Sequence, residues 1–383
     1  MSGYESRKEL SKGVHDPISA RAVAFEQGGK RLVLISTDLI GFYDGTAKPL
    51  RQAILDACQL KPEELFLAAV HDHSAPTPTF DEAKGHSNNI AYTRILQANL
   101  VRVSREALDR MVRVKIEAGS GAAPVGANRR QLTADKDGNP RIELGRDASV
   151  LTDREVQVLK ITDATSGELA ALIFDHGTHS TSLGPRNFLI SGDVHGLAEQ
   201  FVEAYLGGRA VVPGFAGASG DIDPWFRVLP GFRTTNGWIP EPILLGTLLG
   251  EEVVHVMETM SKTGLGGTIN AVWKTLELPG KPSGEIRTTT NQPPTMVNLT
   301  VARVGQIAFV GFGGEMFNEI GLAIKRGSPF AHTLVITHCN GSAGYLPVRR
   351  AYLEGGYEVQ SSPFGSAAAE QVIKETLRML NSL

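Results

Sequence analysis

The chain has 383 residues, 42% of them hydrophobic and 21% charged, and its 38 basic and 41 acidic side chains give a net charge of -3. This balance excludes a nucleic-acid binder, because no basic block or stripe is present to neutralise phosphates; a small molecule is the expected partner. No run of eighteen apolar residues offers a membrane span, and no basic segment followed by an apolar core marks a secretory signal. The expected address is therefore cytoplasmic, or secreted or periplasmic if the N-terminus is processed or shortened. Cys58 and Cys339 lie far apart in sequence and read as two buried thiols rather than a disulfide framework. Oligomeric state is not legible at this level.

In chain order, residues 1–16 are polar and irregular, ending in a turn at His15, Asp16 and Pro17. Residues 20–25 and 31–37 are apolar runs separated by Gly28 and Gly29, which predicts a hairpin ending at Asp38. Helical spacing of Leu50, Ile54 and Leu55 marks a helix over 46–58, and 65–70 is an apolar run of strand length. A long amphipathic helix is expected over 90–112, then a strand at 114–118, an ordered turn at 126–130 and a tight hairpin turn at 135–140. Residues 155–162 and 169–174 form a strand pair around Ser166 and Gly167. A helix follows at 194–204, a strand at 210–215 and a helix at 242–260. The Gly-, Pro- and Thr-rich stretch 279–294 reads as a long surface loop or lid. Strands at 297–304 and 306–310 turn at Gly305; then come a helix to Ile324, a strand at 334–338, a loop over 341–357 and a helix at 367–380. No internal repeat and no linker is found. The pattern predicts an α/β fold of central mixed β-sheets flanked by α-helices, in a single catalytic domain over 1–383.

Several of these strands end in groups that bind metals or move protons: Asp38, His71 with His73, His179, Asp221 with Asp223, Glu315, and His338 with Tyr345 beyond it. Strand ends on one sheet edge lie close in space. If the chain stays extended through residue 73, His71 and His73 share a face about 7 Å apart at Cβ. They can then share one ion, or one binds while the other handles protons. Two histidines and a carboxylate suit an open zinc site. His176, His195, His255 and His332 have nothing to bring them to a common edge and read as structural or exposed. Asp221 and Asp223, before Pro224, also suit a plain turn, and Glu315 also suits the first turn of a helix.

The sequence resembles the catalytic domain of the neutral/alkaline non-lysosomal ceramidases. That family's Thr-His-Thr-His-Ser-Gly-Pro segment is similar to Val70-His-Asp-His-Ser-Ala-Pro76, and its Asn-Arg turn to Asn128-Arg129. Thr178-His-Ser-Thr-Ser-Leu183 and Ser191-Gly-Asp193 resemble two further segments, and Gly220-Asp-Ile-Asp-Pro224 echoes Gly-Asp-Val-Ser-Pro-Asn. Gly313-Gly-Glu315 matches Pro-Gly-Glu, and residues 344–357 resemble the tyrosine-bearing segment.

The resemblance implies Zn²⁺ held by His71, His179, Glu315 and Tyr345, with His73 moving protons and Arg129 and Tyr357 holding the carbonyl oxygen. It implies hydrolysis of a linear amide in an N-acyl compound, which makes a lipid such as ceramide a candidate substrate in lipid or sphingolipid metabolism. Asp223 stands where the family carries a serine, which excludes an acyl-serine route at that position. The family's further β-sandwich domain, which follows the catalytic region, has no counterpart, and Met1-Ser-Gly-Tyr4 resembles the family's early segment without its preceding strand, which suggests a truncated or shortened N-terminus. An esterase or lactonase on the same scaffold, and a non-catalytic lipid- or carbohydrate-binding relative, are the alternatives.

Overall fold

A computed structural model of the chain describes residues 1–150, 152–226, 240–261, 263–281 and 293–383. Most of the stretch expected as a surface loop or lid, residues 282–292, lies outside the described residues.

One arrangement recurs three times. In the first unit Ala20–Gln27 and Lys30–Thr37 form an antiparallel hairpin. Helix Ala47–Cys58 then crosses to strand Leu65–Ala69, which runs parallel to the second hairpin strand, and helix Ser87–Asp109 follows. The second unit repeats this with strands Glu155–Asp163 and Leu169–His176, helix Asp193–Tyr205, strand Gly214–Ala216 and helix Pro240–Thr259. The third does so with Thr295–Val304, Ile307–Phe312, helix Asn318–Gly327, strand His332–Ile336 and helix Ala368–Leu380. The second and third sheets carry one more antiparallel strand at the outer edge: Val114–Ala122 beside Glu155–Asp163, and Ile269–Leu278 beside Thr295–Val304. Among the described residues the first sheet stops at Ala20–Gln27.

The burial pattern explains why the sheets gather. Each hairpin alternates between two apolar faces, and Leu65–Ala69 is buried throughout, as expected of a parallel strand covered on both sides. Inner-face side chains from all three sheets, among them Phe25, Phe66, Ile161, Ile173, Val304 and Phe309, make one shared core. Each outer face packs on its own two helices. At about 1.5–3 kcal/mol per fully buried large side chain, the shared core binds the units together. The three crossover strands meet near the middle: Thr337 N, just after the third, donates to Ala216 O of the second at 2.9 Å, and Ala68 of the first bridges Cys339. Their C-terminal ends therefore open towards a common point.

Some local expectations need correction. Residues 126–130 are not a turn but the start of strand Gly126–Ala134, which pairs with Pro140–Asp147 and Ile222–Pro224. The strand expected at 210–215 is laddered only over Gly214–Ala216, because Pro213 has no N–H to give. Ile269–Leu278 was not expected; it is an edge strand with few buried residues and a weak apolar signal. The 341–357 loop contains strand Tyr345–Leu346, paired with Glu315–Met316, and the short helix Ala351–Glu354; a second one, Tyr357–Ser361, follows. Cys58 and Cys339 are both buried and free, and among the described residues no helix is long and apolar enough to cross a membrane.

Candidate metal centre

His71 follows the first crossover strand, but not in extended form. Its φ is 57°, so the backbone turns through the left-handed region, at a cost of roughly 1–2 kcal/mol for a residue with a side chain. The two histidines converge because of this kink rather than by strand alternation, and their Nε2 atoms lie 3.1 Å apart. His338, after the third crossover strand, turns in the same way with a φ of 50°.

The N-terminal segment closes over His73. Gly3 has a φ of 92°, and a Cβ there would sit 2.4 Å from His73 Nδ1, so only glycine lets the chain pass. Arg7 donates to the carbonyl oxygens of Ser2 and His73, and the Tyr4 ring meets His73 edge-on at 4.9 Å.

His179 comes from the loop after Leu169–His176, and Glu315 from the short strand that pairs with Tyr345–Leu346. His71 Nδ1 lies 2.7 Å from Ile40 O, and His179 Nδ1 lies 2.9 Å from Ile222 O. A carbonyl only accepts, so each Nδ1 carries the proton and each Nε2 presents a lone pair. Both lone pairs face Glu315 Oε2, at 3.3 and 3.6 Å, and that buried oxygen has no hydrogen-bond partner. Three electron-pair donors thus face one another without a proton between them. Such a set suits a bound cation. Tetrahedral zinc with ligands at about 2.0–2.2 Å separates its donors by about 3.3 Å, which these distances fit.

Burial pushes the His73 and His338 imidazoles well below their usual pKa, His71 adding to the effect in both. Burial and then the Arg129 charge bring His179 to about 4. Burial raises Glu315, but the neighbouring His71 and His179 outweigh it and hold the carboxyl well below its usual range. At neutral pH His73, His179 and His338 are therefore neutral and Glu315 is ionised, protonation states that suit a metal.

Arg129 reaches the same place through a register shift between Asn128 and Arg130 in strand Gly126–Ala134; a bulge re-aims a side chain in this way. Its guanidinium donates to Glu358 at 2.7 Å, Gly220 O at 2.8 Å, and Asp223 and His179 Nε2 at 3.2 Å each. Its carbon lies 5.4 Å from the Tyr345 ring centre and 5.9 Å from that of Tyr357. Tyr345 is buried, whereas Tyr357, 47% exposed, stands at the mouth. Asp223 is held between Arg129 and Arg146, at 3.2 and 3.1 Å.

His71, His73, His179, Glu315, Tyr345, Arg129 and Tyr357 are thus brought together, and other strand-end residues are not. Asp38 accepts from Ser19 N and sits 3.7 Å from Arg21. Asp221 takes bonds from Asn128 and Asn318 N and organises a turn. His195 is tied to Ser180 and His176 O, while His255 is exposed. Sequence reasoning missed Tyr43, whose phenol donates to Glu315 Oε1 at 3.2 Å, and the stacking of His338 on His71 at 3.9 Å. Tyr43 lies in a loop with no periodic pattern to mark it.

Comparison with known proteins gives a consistent result. The family model described as neutral/alkaline non-lysosomal ceramidase, N-terminal, matches residues 1–227. That span holds His71, His73, Arg129 and His179 but not Glu315, Tyr345 or Tyr357. The chain is 29% identical over 245 residues to the neutral ceramidase of Pseudomonas aeruginosa, covering 60% of this chain and 35% of that one. It is 27% identical over 229 residues to neutral ceramidase A of Dictyostelium discoideum, covering 56% and 31%. It therefore spans about a third of the length of these curated relatives. The crystal structure of the Pseudomonas aeruginosa neutral ceramidase shares the fold with a TM-score of 0.79 at 19% identity, over 99% of this chain and 71% of that one. With more than half of its length matched by the family model, the chain belongs to the neutral/alkaline non-lysosomal ceramidase family.

Proposed function

We propose that this chain is a zinc-dependent hydrolase of a linear amide in an N-acyl compound, with ceramide among the candidate substrates. The observation that carries the reading is the convergence of His71 Nε2 and His179 Nε2 on Glu315 Oε2, a buried oxygen with no hydrogen-bond partner. Tyr345, whose strand pairs with that of Glu315, is the fourth ligand suggested by the family resemblance. When bound, zinc supplies a Lewis acid for the amide carbonyl and lowers the pKa of water towards neutrality.

The chain's own groups do the rest. His73, kept neutral by burial, takes a proton and returns it to the leaving amine. Arg129, fixed by Glu358 and Asp223, presents a permanent positive charge to the oxygen on which charge develops, and Tyr357 supports it from the mouth. Asp223 is committed to two arginines and takes no part as a nucleophile. Tyr357, 47% exposed beside Tyr345 and Arg129, offers an aromatic surface that supports an acyl chain in the substrate.

The test is metal analysis of the purified protein followed by a screen of N-acyl amides and matched esters after zinc loading. One tightly held zinc and amide turnover are expected, with His71→Ala losing both. Amide turnover that persists unchanged in His71→Ala would sink the reading, and turnover of esters alone would replace it with an esterase.

A further inference from the structure

His338 has no part in the zinc centre described above. It is fully buried, and among the described residues neither Nδ1 nor Nε2 has a hydrogen-bond partner. The neighbouring His71 and His179 each tie Nδ1 to a carbonyl, and His195 is tied at both nitrogens. A neutral imidazole brings one donor and one acceptor, and burying both unpaired is costly. The backbone nevertheless fixes this ring in place. His338 N donates to Gly314 O at 3.1 Å and its carbonyl accepts from Ala69 N at 3.3 Å, so the residue is clamped between the third unit and the first.

The stacking of the two rings decides which ion His338 can serve. His71 and His338 lie 3.9 Å apart at their centres and only 12° from parallel. An imidazole donates its lone pair within the ring plane, so an ion in the plane of His71 lies outside the plane of His338. His338 therefore cannot share the ion held by His71 and His179. It can serve an ion of its own, in a plane displaced by the ring spacing, and paired ions in hydrolytic sites stand about 3.5–4 Å apart. The second requirement is an oxygen ligand. A ring nitrogen of His338 and a carboxylate oxygen of Glu315 lie within 4.8 Å of each other. Glu315 Oε2 faces His71 and His179, while Oε1 accepts from the Tyr43 hydroxyl at 3.2 Å, so the carboxylate has oxygens for two neighbours.

We propose that His338 and Glu315 hold a second divalent cation beside the zinc, with the Glu315 carboxylate shared between the two ions. The assignment rests on the reading of His71, His179 and Glu315 as a zinc centre. A mixed nitrogen and oxygen donor set suits a first-row transition ion such as zinc, whereas calcium and magnesium take oxygen ligands. With fewer protein ligands the second ion binds more weakly than the first, so it fills on titration and is lost during purification. Its charge would stand next to the zinc, where negative charge develops on the amide oxygen.

The test adds zinc to the purified full chain and counts bound ions by equilibrium dialysis and elemental analysis. The parent should rise from one ion per chain to two. His338→Asn, a residue that tolerates the left-handed backbone, should keep the tight ion and lose the second. A measurement on the parent alone needs no variant to fold: in protein produced with cobalt, two ions at this spacing couple their spins, so the paramagnetic signal of the first equivalent should fall as the second is added. One ion at saturation in the parent, or a cobalt signal that grows in proportion through the second equivalent, overturns the second site and leaves the zinc centre standing. Two ions in both the parent and His338→Asn mark zinc bound elsewhere and overturn it equally. A parent that holds no ion at all sinks the zinc centre and the second site together.

Discussion

Two buried polar clusters lie close together in this fold, and their difference separates a structural network from a ligand site. Around Arg21, the carboxylates of Glu199, Glu203 and Asp38 converge on a cation that the chain itself provides: Glu203 accepts at 2.7 and 2.9 Å, and Glu199 also accepts from Arg21. Around Glu315, His71 and His179 bring lone pairs instead of protons, and the nearest fixed cation, Arg129, reaches only His179. A buried anion that finds its counter-charge in the sequence holds the fold together; one that does not is built for something added later.

Acid should give the largest contrast between the two. His179 and His195 lie at about 4 and about 3 in the folded chain, and burial lowers His73 and His338 as well. The unfolded chain takes up protons first, so stability falls as pH drops from about 6.5 towards 4, and bound metal is lost with it. Asp38 and Glu199 are raised by burial, so the Arg21 cluster gains relative stability over the same descent. Thermal unfolding and metal content measured from pH 8 to about pH 4 should decline together; a flat profile would mean that the histidines are not buried as described.

The next largest effect is expected from Arg21→Met. Removing the cation leaves buried carboxylates without a partner and should cost about 3–5 kcal/mol in denaturant unfolding. Zinc content and turnover per folded molecule should stay at the parent level. Loss of metal from folded Arg21→Met would show that the two clusters act as one.

Tyr43→Phe removes the hydrogen bond to Glu315 Oε1, and partners of this kind usually change metal affinity by about 10–100-fold. Competition with a chelator reads that change, and global stability should barely move. Smallest is the difference between two single hydroxyls: Tyr345→Phe should weaken metal retention more than Tyr357→Phe, which should mainly slow turnover. The reverse ranking would exchange their roles.

The hairpins and amphipathic helices were legible because alternation and helical spacing are local. The threefold arrangement was not, because topology repeats here without any repetition of residues. Of the site, His71, His179 and Glu315 were legible as polar groups at the ends of apolar runs, while Tyr345 was reached only through resemblance. Asp38 obeyed the same strand-end rule and misled, since its partner Arg21 lies on the neighbouring strand, where nothing in the sequence pairs them. The turn expected at 126–130 was a bulged strand because a register shift depends on partners that are distant in the chain.

Each of the three units lends at least one group to the candidate centre: His71 from the first, His179 from the second, Glu315 from the third. An ion gripped there would act as a rivet through all three, so that no unit could open without first releasing it. Loading should then protect amides throughout the molecule, by an amount that rises with the logarithm of free ion concentration, and a chelator should make the whole protein easier to digest rather than one corner of it.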